Sequence, residues 1–247
     1  MPATPAWPPQ STPRLFVAAP LTAGLRSIDG PQAHYLVGVM RIKPGEPIKL
    51  FDGESGEWLA VAREVGRKSL VVELTAQLRE TEAVPDLWLC AAPLKKGRID
   101  WLAEKACELG VARLVPVITA RTIVDRLNGE RLHAHMVEAA EQCGRTVVPE
   151  LAEPVKLAAL LRDWGDRQLF FADETGGAPA AAAMAARTGP AAILIGPEGG
   201  FTPDERDAIR AVPQSVGIGL GPRILRADTA AAAAVTLWMA NAGDWGP

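Results

Sequence analysis

Length, composition and charge place the chain among ordinary globular proteins. It has 247 residues, of which 48% are hydrophobic and 22% charged, enough for one large domain or two modest ones. This composition excludes a wholly disordered chain, a collagen and a coiled coil. The 26 Lys and Arg against 29 Asp and Glu give a net charge of −3, which excludes a strongly basic nucleic-acid binder but not a local basic patch.

Neither a membrane span nor a secretory signal is predicted. The longest apolar stretch, residues 230–240, is too short to cross a bilayer. No basic segment followed by an apolar one opens the chain, so we expect a cytoplasmic protein without a membrane partner.

Cysteine and histidine spacing predicts no metal site. The histidines His133 and His135 would point to different faces of a helix, and no cysteine or carboxylate cluster accompanies them at ligand spacing. The odd number of widely separated cysteines predicts buried, reduced thiols. These are Cys90, Cys107 and Cys143.

The N-terminal third predicts a tail followed by a small β-domain. Residues 1–13 are rich in proline and lack apolar periodicity, which predicts a disordered tail. Residues 14–78 contain short strands, turn signals and one helix at Pro31–Met40, a pattern typical of a small β-barrel. The polar segment 79–85 ends in proline and is predicted to be a linker.

From residue 86 to 247 the pattern changes to strands alternating with helices. Continuous apolar strands between amphipathic helices indicate a parallel sheet covered on both faces, which is the α/β class. The predicted strands are Leu87–Ala92, Leu114–Ile118, Gln168–Ala172, Ala191–Ile195 and Ser215–Leu220, and the helices between them include Ile99–Leu109 and Arg131–Cys143.

Two strand-to-helix turns are chemically unusual, and the carboxyl ends of parallel strands are where ligands bind. The first follows Ile195, and its glycines allow a ligand to approach the backbone closely. Thr202 and Glu205 form a capping box for the next helix, and Glu198 is the acid at the apex. The turn is either a ligand cradle or a tight turn without a ligand.

The second turn leads from the strand ending at Leu220 into an alanine-rich helix predicted to be capped by Asp228 or Thr229. Arg223 and Arg226 both lie beside that helix N-terminus. Two positive charges next to the positive end of a helix dipole are electrostatically unfavourable unless an anion or an electron-rich ligand binds between them. Alternatively, the two arginines are solvated or bound to Glu198.

Common nucleotide and hydrolase motifs are absent from the sequence. The glycines at 217, 219 and 221 are spaced GxGxG and followed by proline, not GxGxxG, which disfavours a dinucleotide-dependent dehydrogenase. No GxxxxGK[ST] or GxSxG motif is present, which disfavours a P-loop hydrolase and an α/β-hydrolase.

Several blocks in the same order resemble the RsmE family, the uracil-N3 methyltransferases of small-subunit ribosomal RNA in the SPOUT superfamily. The N-terminal region, with Arg14, His34 and Val39–Arg41, is similar to the PUA-like RNA-binding barrel of that family. The chain departs from the family at Ala227 and Asp228, where a Thr–Glu–Thr run is usual. The matching blocks are Lys96–Trp101, Lys105, Glu108–Val111, Arg121, Glu141–Arg145, Ile195–Phe201 and Leu220–Arg226.

The resemblance implies S-adenosylmethionine (SAM) as methyl donor, a trefoil-knotted SPOUT domain over residues 86–247, and a homodimer with its sites at the subunit interface. It also implies a substrate of 16S ribosomal RNA, which we expect to be recognised on the assembled small subunit. The residues expected to bind the cofactor are Gly196, Pro197, Gly199, Gly200, Leu220, Gly221, Ile224, Leu225 and Arg226.

Transfer of a methyl group to N3 of uracil requires loss of the N3 proton. Glu198 or Asp228 is the candidate base, and Arg226 or Arg223 would stabilise negative charge on the flanking carbonyl oxygens. The catalytic residues are therefore expected to be Glu198, Arg226 and Asp228. The expected RNA-binding residues are Arg14, Arg41, Arg121, Arg145 and Arg223.

Two other functions remain open from the sequence. One is a SPOUT enzyme that methylates another RNA or another atom. The other is an RNA-binding accessory protein without catalysis, against which the two intact glycine-bearing turns argue because a pure binder needs no donor pocket.

Overall fold

The computed structural model describes residues 12–124 and 126–246, and the chain divides into two compact units. The first combines the chain up to Ala83 with Ala140–Val148, and the second combines Val84–Ala139 with the chain from Pro149 onward. Positions 1–11 of the predicted tail lie outside the described residues. The predicted domain boundaries stay predictions, and no sequence pattern indicated that Ala140–Val148 belongs to the first unit.

The first unit contains a five-stranded sheet. Its strands are β1 Arg14–Phe16, β2 Gly24–Ile28, β3 Pro47–Phe51, β4 Glu57–Val65 and β5 Leu70–Arg79. They are ordered β1-β3-β4-β5-β2, with β1 parallel to β3 and the other pairs antiparallel. Among the described residues no pairing joins β1 to β2. Alternating apolar side chains of β3, β4 and β5 form the core of this unit.

The single helix predicted over Pro31–Met40 is two different elements in the structure. Helix α1 spans Gly30–His34, and a π-helical turn follows at Tyr35–Val39. The wider turn closes through the Met40 backbone N–H, which donates to the Tyr35 carbonyl at 2.9 Å. Proline at the start of α1 fits the first helical turn, as the sequence indicated.

A buried ion cluster holds Ala140–Val148 within the first unit. The Arg14 guanidinium pairs with Glu57 and also donates to the carbonyl oxygens of Ala140 and Arg145. Arg79 contacts the same Glu57 carboxylate at 3.1 Å. Burial opposes ionisation of Glu57, but the bonds and charges of Arg14 and Arg79 outweigh it, so its pKa lies below the usual value.

The second unit is built on a parallel sheet. Its strands are β6 Leu87–Ala91, β7 Arg113–Ile118, β8 Glu150–Leu151, β9 Val155–Lys156, β10 Gln168–Ala172, β11 Ala178–Pro179, β12 Ala191–Ile195 and β13 Ser215–Gly219. The order is β11-β13-β10-β12-β6-β7-β8, every pair is parallel, and β9 pairs with β7. The predicted α/β class with a separate small N-terminal sheet is confirmed. The trefoil knot stays a prediction.

Helices connect these strands. They are α2 Arg98–Glu108, α3 Gly129–Cys143, α4 Leu157–Arg162, α5 Ala180–Ala185, α6 Pro203–Arg210 and α7 Ala227–Asn241. All five residues of β12 are buried, and α7 buries seven side chains, which accounts for their continuous apolar sequences. The cap predicted for α7 is wrong: Arg226 is the N-cap residue, and Asp228 lies inside the first turn.

No helix within 12–124 and 126–246 is long and apolar enough to cross a membrane. No group of three or more His, Cys, Asp or Glu in these ranges could hold a metal ion.

Cys90 and Cys107 are buried, as expected, and burial raises the pKa of the Cys90 thiol to about 12. The expectation of burial is wrong for Cys143, which is exposed at the end of α3.

Candidate functional site

A cleft of about 660 Å³ lies at the carboxyl ends of β10, β12 and β13 in the second unit. Strand β10 lies between β13 and β12, so the turns that follow these three strands meet although they are far apart in sequence. The volume is in the range of small-molecule sites, about 300–1,000 Å³. The two turns singled out by the sequence therefore share one cavity.

The turn after β12 is rigid. The Gly200 N–H donates to the Pro197 carbonyl at 2.8 Å, and Gly200 has a φ of 67°, a conformation that glycine adopts without strain. A side chain at Gly196 would lie 3.1 Å from the buried ring of Phe201, so this position must stay small. The predicted capping box is confirmed: Thr202 and Glu205 exchange hydrogen bonds of 2.9 and 3.2 Å at the start of α6.

Both candidate bases contact one arginine that the sequence analysis missed. The Arg98 Nη1 lies 3.4 Å from Glu198 Oε1, and its Nε lies 3.9 Å from Asp228 Oδ2. Arg98 is the first residue of α2, a hundred positions before Glu198. Glu198 is therefore paired with Arg98 and not with Arg223 or Arg226, and no local sequence signal could have shown this pairing.

The turn after β13 presents its side chains to solvent at the mouth of the cleft. Arg223, Ile224 and Arg226 are exposed, while Leu225 is half-buried. Because Arg226 precedes the first turn of α7, its guanidinium stands beside a helix N-terminus, as the sequence predicted. The turn thus offers two cations and two aliphatic side chains to a bound molecule.

A third turn, after β10, lines the cleft and was not predicted. Burial opposes ionisation of Asp173, but hydrogen bonds from Thr175 and Arg210 outweigh it and hold its pKa below the usual value. Glu174 Oε1 accepts from Arg206 at 2.7 Å and lies directly over Gly200. The sequence contained a signal for this third turn, because an acidic, glycine-bearing segment follows the continuous apolar strand β10, just as glycine-bearing segments follow β12 and β13.

All nine residues expected to bind the cofactor line the cleft. Glu198 and Arg223 line it too, whereas Asp228 is not part of the lining and lies 3.9 Å from Arg98. The nine are Gly196, Pro197, Gly199, Gly200, Leu220, Gly221, Ile224, Leu225 and Arg226.

The arginines expected to bind RNA occupy different environments. Arg121 Nη1 donates to the Gly199 carbonyl at 2.6 Å and so braces the cleft wall. Arg41 is exposed on the first unit. In the first unit, Arg145 is buried and lies 3.4 Å from Glu82, and Arg14 is largely buried and pairs with Glu57. This burial leaves Arg14 and Arg145 little surface for a phosphate in this structure.

Known RNA methyltransferases are similar to this chain in both of its units. Residues 81–239 match the family described as RNA methyltransferase domain, and residues 28–75 match RNA methyltransferase PUA domain. Ribosomal RNA small subunit methyltransferase E of Bacillus subtilis is 31% identical, with 83% of this chain and 85% of that protein covered. The enzyme of the same name from Rickettsia conorii is 30% identical, with 82% and 84% covered.

A solved structure is similar across the whole fold. Ribosomal RNA small subunit methyltransferase E from Neisseria gonorrhoeae, bound to S-adenosyl methionine, matches with a TM-score of 0.86 at 26% identity, covering 95% of this chain and all of that one. The family match spans more than half of the chain, and the two curated relatives cover over four fifths of it. The chain therefore belongs to the ribosomal RNA small subunit methyltransferase E (RsmE) family of RNA methyltransferases.

Proposed function

We propose that this protein transfers a methyl group from SAM to N3 of a specific uridine in 16S ribosomal RNA. The observation that carries the proposal is the single cleft formed by the two glycine-bearing turns in a chain of the RsmE family. The similar structure from Neisseria gonorrhoeae, which is bound to the same cofactor, supports it.

The residues of the cleft fit SAM, which supplies an electrophilic methyl group on a sulfonium. Gly196, Gly199 and Gly200 expose backbone that a ligand can approach closely, and Leu220 and Leu225 offer apolar surface to an adenine ring. Acidic side chains at the cleft suit a ligand that carries positive charge at its sulfonium and its amino group. These are Asp173, Glu174 and Glu198.

The charged groups at the mouth of the cleft suit the acceptor. The carboxylate of Glu198 at the cleft, or that of Asp228 outside its lining, accepts the N3 proton, and Arg98 lies 3.4 Å from the first and 3.9 Å from the second. Arg226 or Arg223 stabilises the negative charge that develops on the uracil oxygens. Holding the acceptor nitrogen in line with the donor methyl contributes the larger part of the acceleration.

The proposal extends to the residues that bind RNA, the oligomeric state of the protein and its cellular compartment. Arg41 and Arg223 are exposed and available for phosphates, and Arg121 is exposed although it also donates to the Gly199 carbonyl, whereas Arg14 and Arg145 have structural contacts. The net charge of −3 favours recognition of RNA shape on the assembled small subunit over tight binding of free RNA. We further propose a cytoplasmic homodimer, with residues 14–78 as the RNA-binding domain, 79–85 as a linker and 86–247 as the methyltransferase domain.

Mass spectrometry of ribosomal RNA tests this function. RNA from cells without the protein should lack one methyl group on a uridine of 16S ribosomal RNA, and the purified protein with SAM should restore it on isolated small subunits. Calorimetry should show SAM binding to the protein alone. An unchanged methylation pattern together with absent SAM binding would reject the proposal in favour of a non-catalytic accessory protein.

A further inference from the structure

One exposed segment of the first unit has no role in the donor cleft. We call Tyr35, Val39, Met40 and Arg41 the Tyr35 patch. Its three apolar members are 38%, 62% and 40% exposed, although the adjoining Leu36 is fully buried. Tyr35 is the one tyrosine of the chain. Three exposed apolar side chains within six positions of one turn form a candidate interaction surface.

The backbone of this segment is unusual in two ways. The Tyr35–Val39 turn is π-helical, a rare conformation that is frequently found at functional sites. Arg41 has a φ of 55°, and within residues 12–124 and 126–246 it is the one residue other than glycine with a positive φ. A helix end of this kind usually carries glycine, which adopts the conformation without strain. Arginine holds this conformation only at an energetic cost, which makes Arg41 a residue whose side chain is worth testing for a role in binding.

Buried neighbours hold the patch in place. The Ile42 N–H donates to the Leu36 carbonyl at 3.0 Å, and both side chains are in the core of the first unit. The His34 ring packs against Gly38, where an added Cβ would lie 3.4 Å from the ring. The patch is therefore a preformed surface on a fixed turn, which lowers the entropic cost of binding.

The charge around the patch is complementary to a polyanion. Arg41 makes no ion pair with any residue that the structure describes, and Lys43 is exposed two positions later. The nearest acid on the following turn, Glu46, accepts a hydrogen bond from the Lys43 backbone N–H at 2.9 Å. Asp29 lies at the opposite end of α1, where it is the N-cap residue.

We propose that the Tyr35 patch binds an unpaired nucleotide of the RNA substrate. A base stacks on the Tyr35 ring beside Met40, and Arg41 binds the adjacent phosphate. Unpaired bases expose the faces that aromatic side chains stack on, whereas bases in a duplex do not. This inference rests on the proposed function, because it assigns a surface to the RNA of that reaction.

Stacking is tested with the full-length protein and a short single-stranded RNA that carries 2-aminopurine, whose fluorescence is quenched when it stacks. We expect quenching by the unmodified protein and by Tyr35→Phe. Tyr35→Ala should abolish the quenching and weaken binding about tenfold. The same sequence as a duplex should bind without a contribution from Tyr35.

The phosphate contact is tested by Arg41→Gly, which removes the cation and relieves the strained φ. We expect an unfolding temperature within about 2 °C of the unmodified protein. RNA binding should weaken about fivefold, and the slope of log K against log salt should fall by about 0.7. The matched control is Arg67→Gly in the β4–β5 hairpin, which removes another exposed positive charge. It should leave the slope unchanged.

Four results would overturn the proposal: no binding of either RNA by the unmodified protein, no effect of Tyr35→Ala, equal losses in Arg41→Gly and Arg67→Gly, or a change of oligomeric mass in the patch variants. The last would identify the patch as a protein interface. Methylation of small subunits and SAM binding are measured in parallel. If both persist while the patch variants bind RNA normally, this inference fails and the proposed function stands.

Discussion

Replacement of Gly200 by alanine tests most directly whether the cleft binds SAM. At a φ of 67° an alanine costs about 1–2 kcal/mol, partly offset by about 0.4–1 kcal/mol from the less flexible unfolded chain. The new Cβ would lie 2.6 Å from Glu174 Oε1, so this carboxylate must move away and its bond with Arg206 is disturbed. That exposed pair contributes little by itself.

We therefore expect Gly200→Ala to lose about 1 kcal/mol of stability, which lowers the unfolding temperature by about 2–4 °C. Calorimetry should show SAM binding weakened by roughly tenfold, because the turn and Glu174 both form the cleft wall.

Gly189→Ala is the matched control outside the cleft. Its φ of 98° imposes a comparable backbone strain, and the added Cβ would have no neighbour within 4 Å. We expect SAM affinity within about twofold of the unmodified protein. Equal losses in both variants, or normal SAM binding by Gly200→Ala, would refute the reasoning that this turn is fixed by its backbone and by Glu174.

Three further predictions concern Glu57 in the first unit and Arg226 at the cleft. Glu57→Gln should cost about 3 kcal/mol in urea unfolding, because it leaves Arg14 buried beside Arg79 without a carboxylate; a loss near zero would contradict this. Since the folded pKa of Glu57 is lowered, its stabilisation is complete above its unfolded pKa of about 4.3 and is lost as the pH falls through the folded pKa. The stabilities of Glu57→Gln and the unmodified protein should thus converge at low pH, and a constant difference would argue against this carboxylate as the cause. Arg226→Ala should lower methylation turnover more than SAM affinity, and equal effects would instead assign Arg226 to binding.

Much of the fold was predictable from local sequence patterns. Continuous apolar runs such as Ala191–Ile195 indicated buried parallel strands, and Thr202 with Glu205 indicated where α6 begins. These features depend on neighbouring residues alone. The predictions failed where the backbone conformation is not determined by the local pattern of apolar and polar residues. Tyr35–Val39 forms a π-helical turn instead of continuing the α-helix. Arg226, and not Asp228, occupies the N-cap position of α7.

The sequence by itself determined the α/β class, the family resemblance and the glycine-bearing turns of the cleft. Only the tertiary structure decided which charges meet. It paired Glu198 and Asp228 with Arg98, brought Glu174 over Gly200, and buried Arg14 against Glu57. The physical reason is that strand order and packing set distances between residues far apart in the chain, and a charged side chain carries no local signal of its partner.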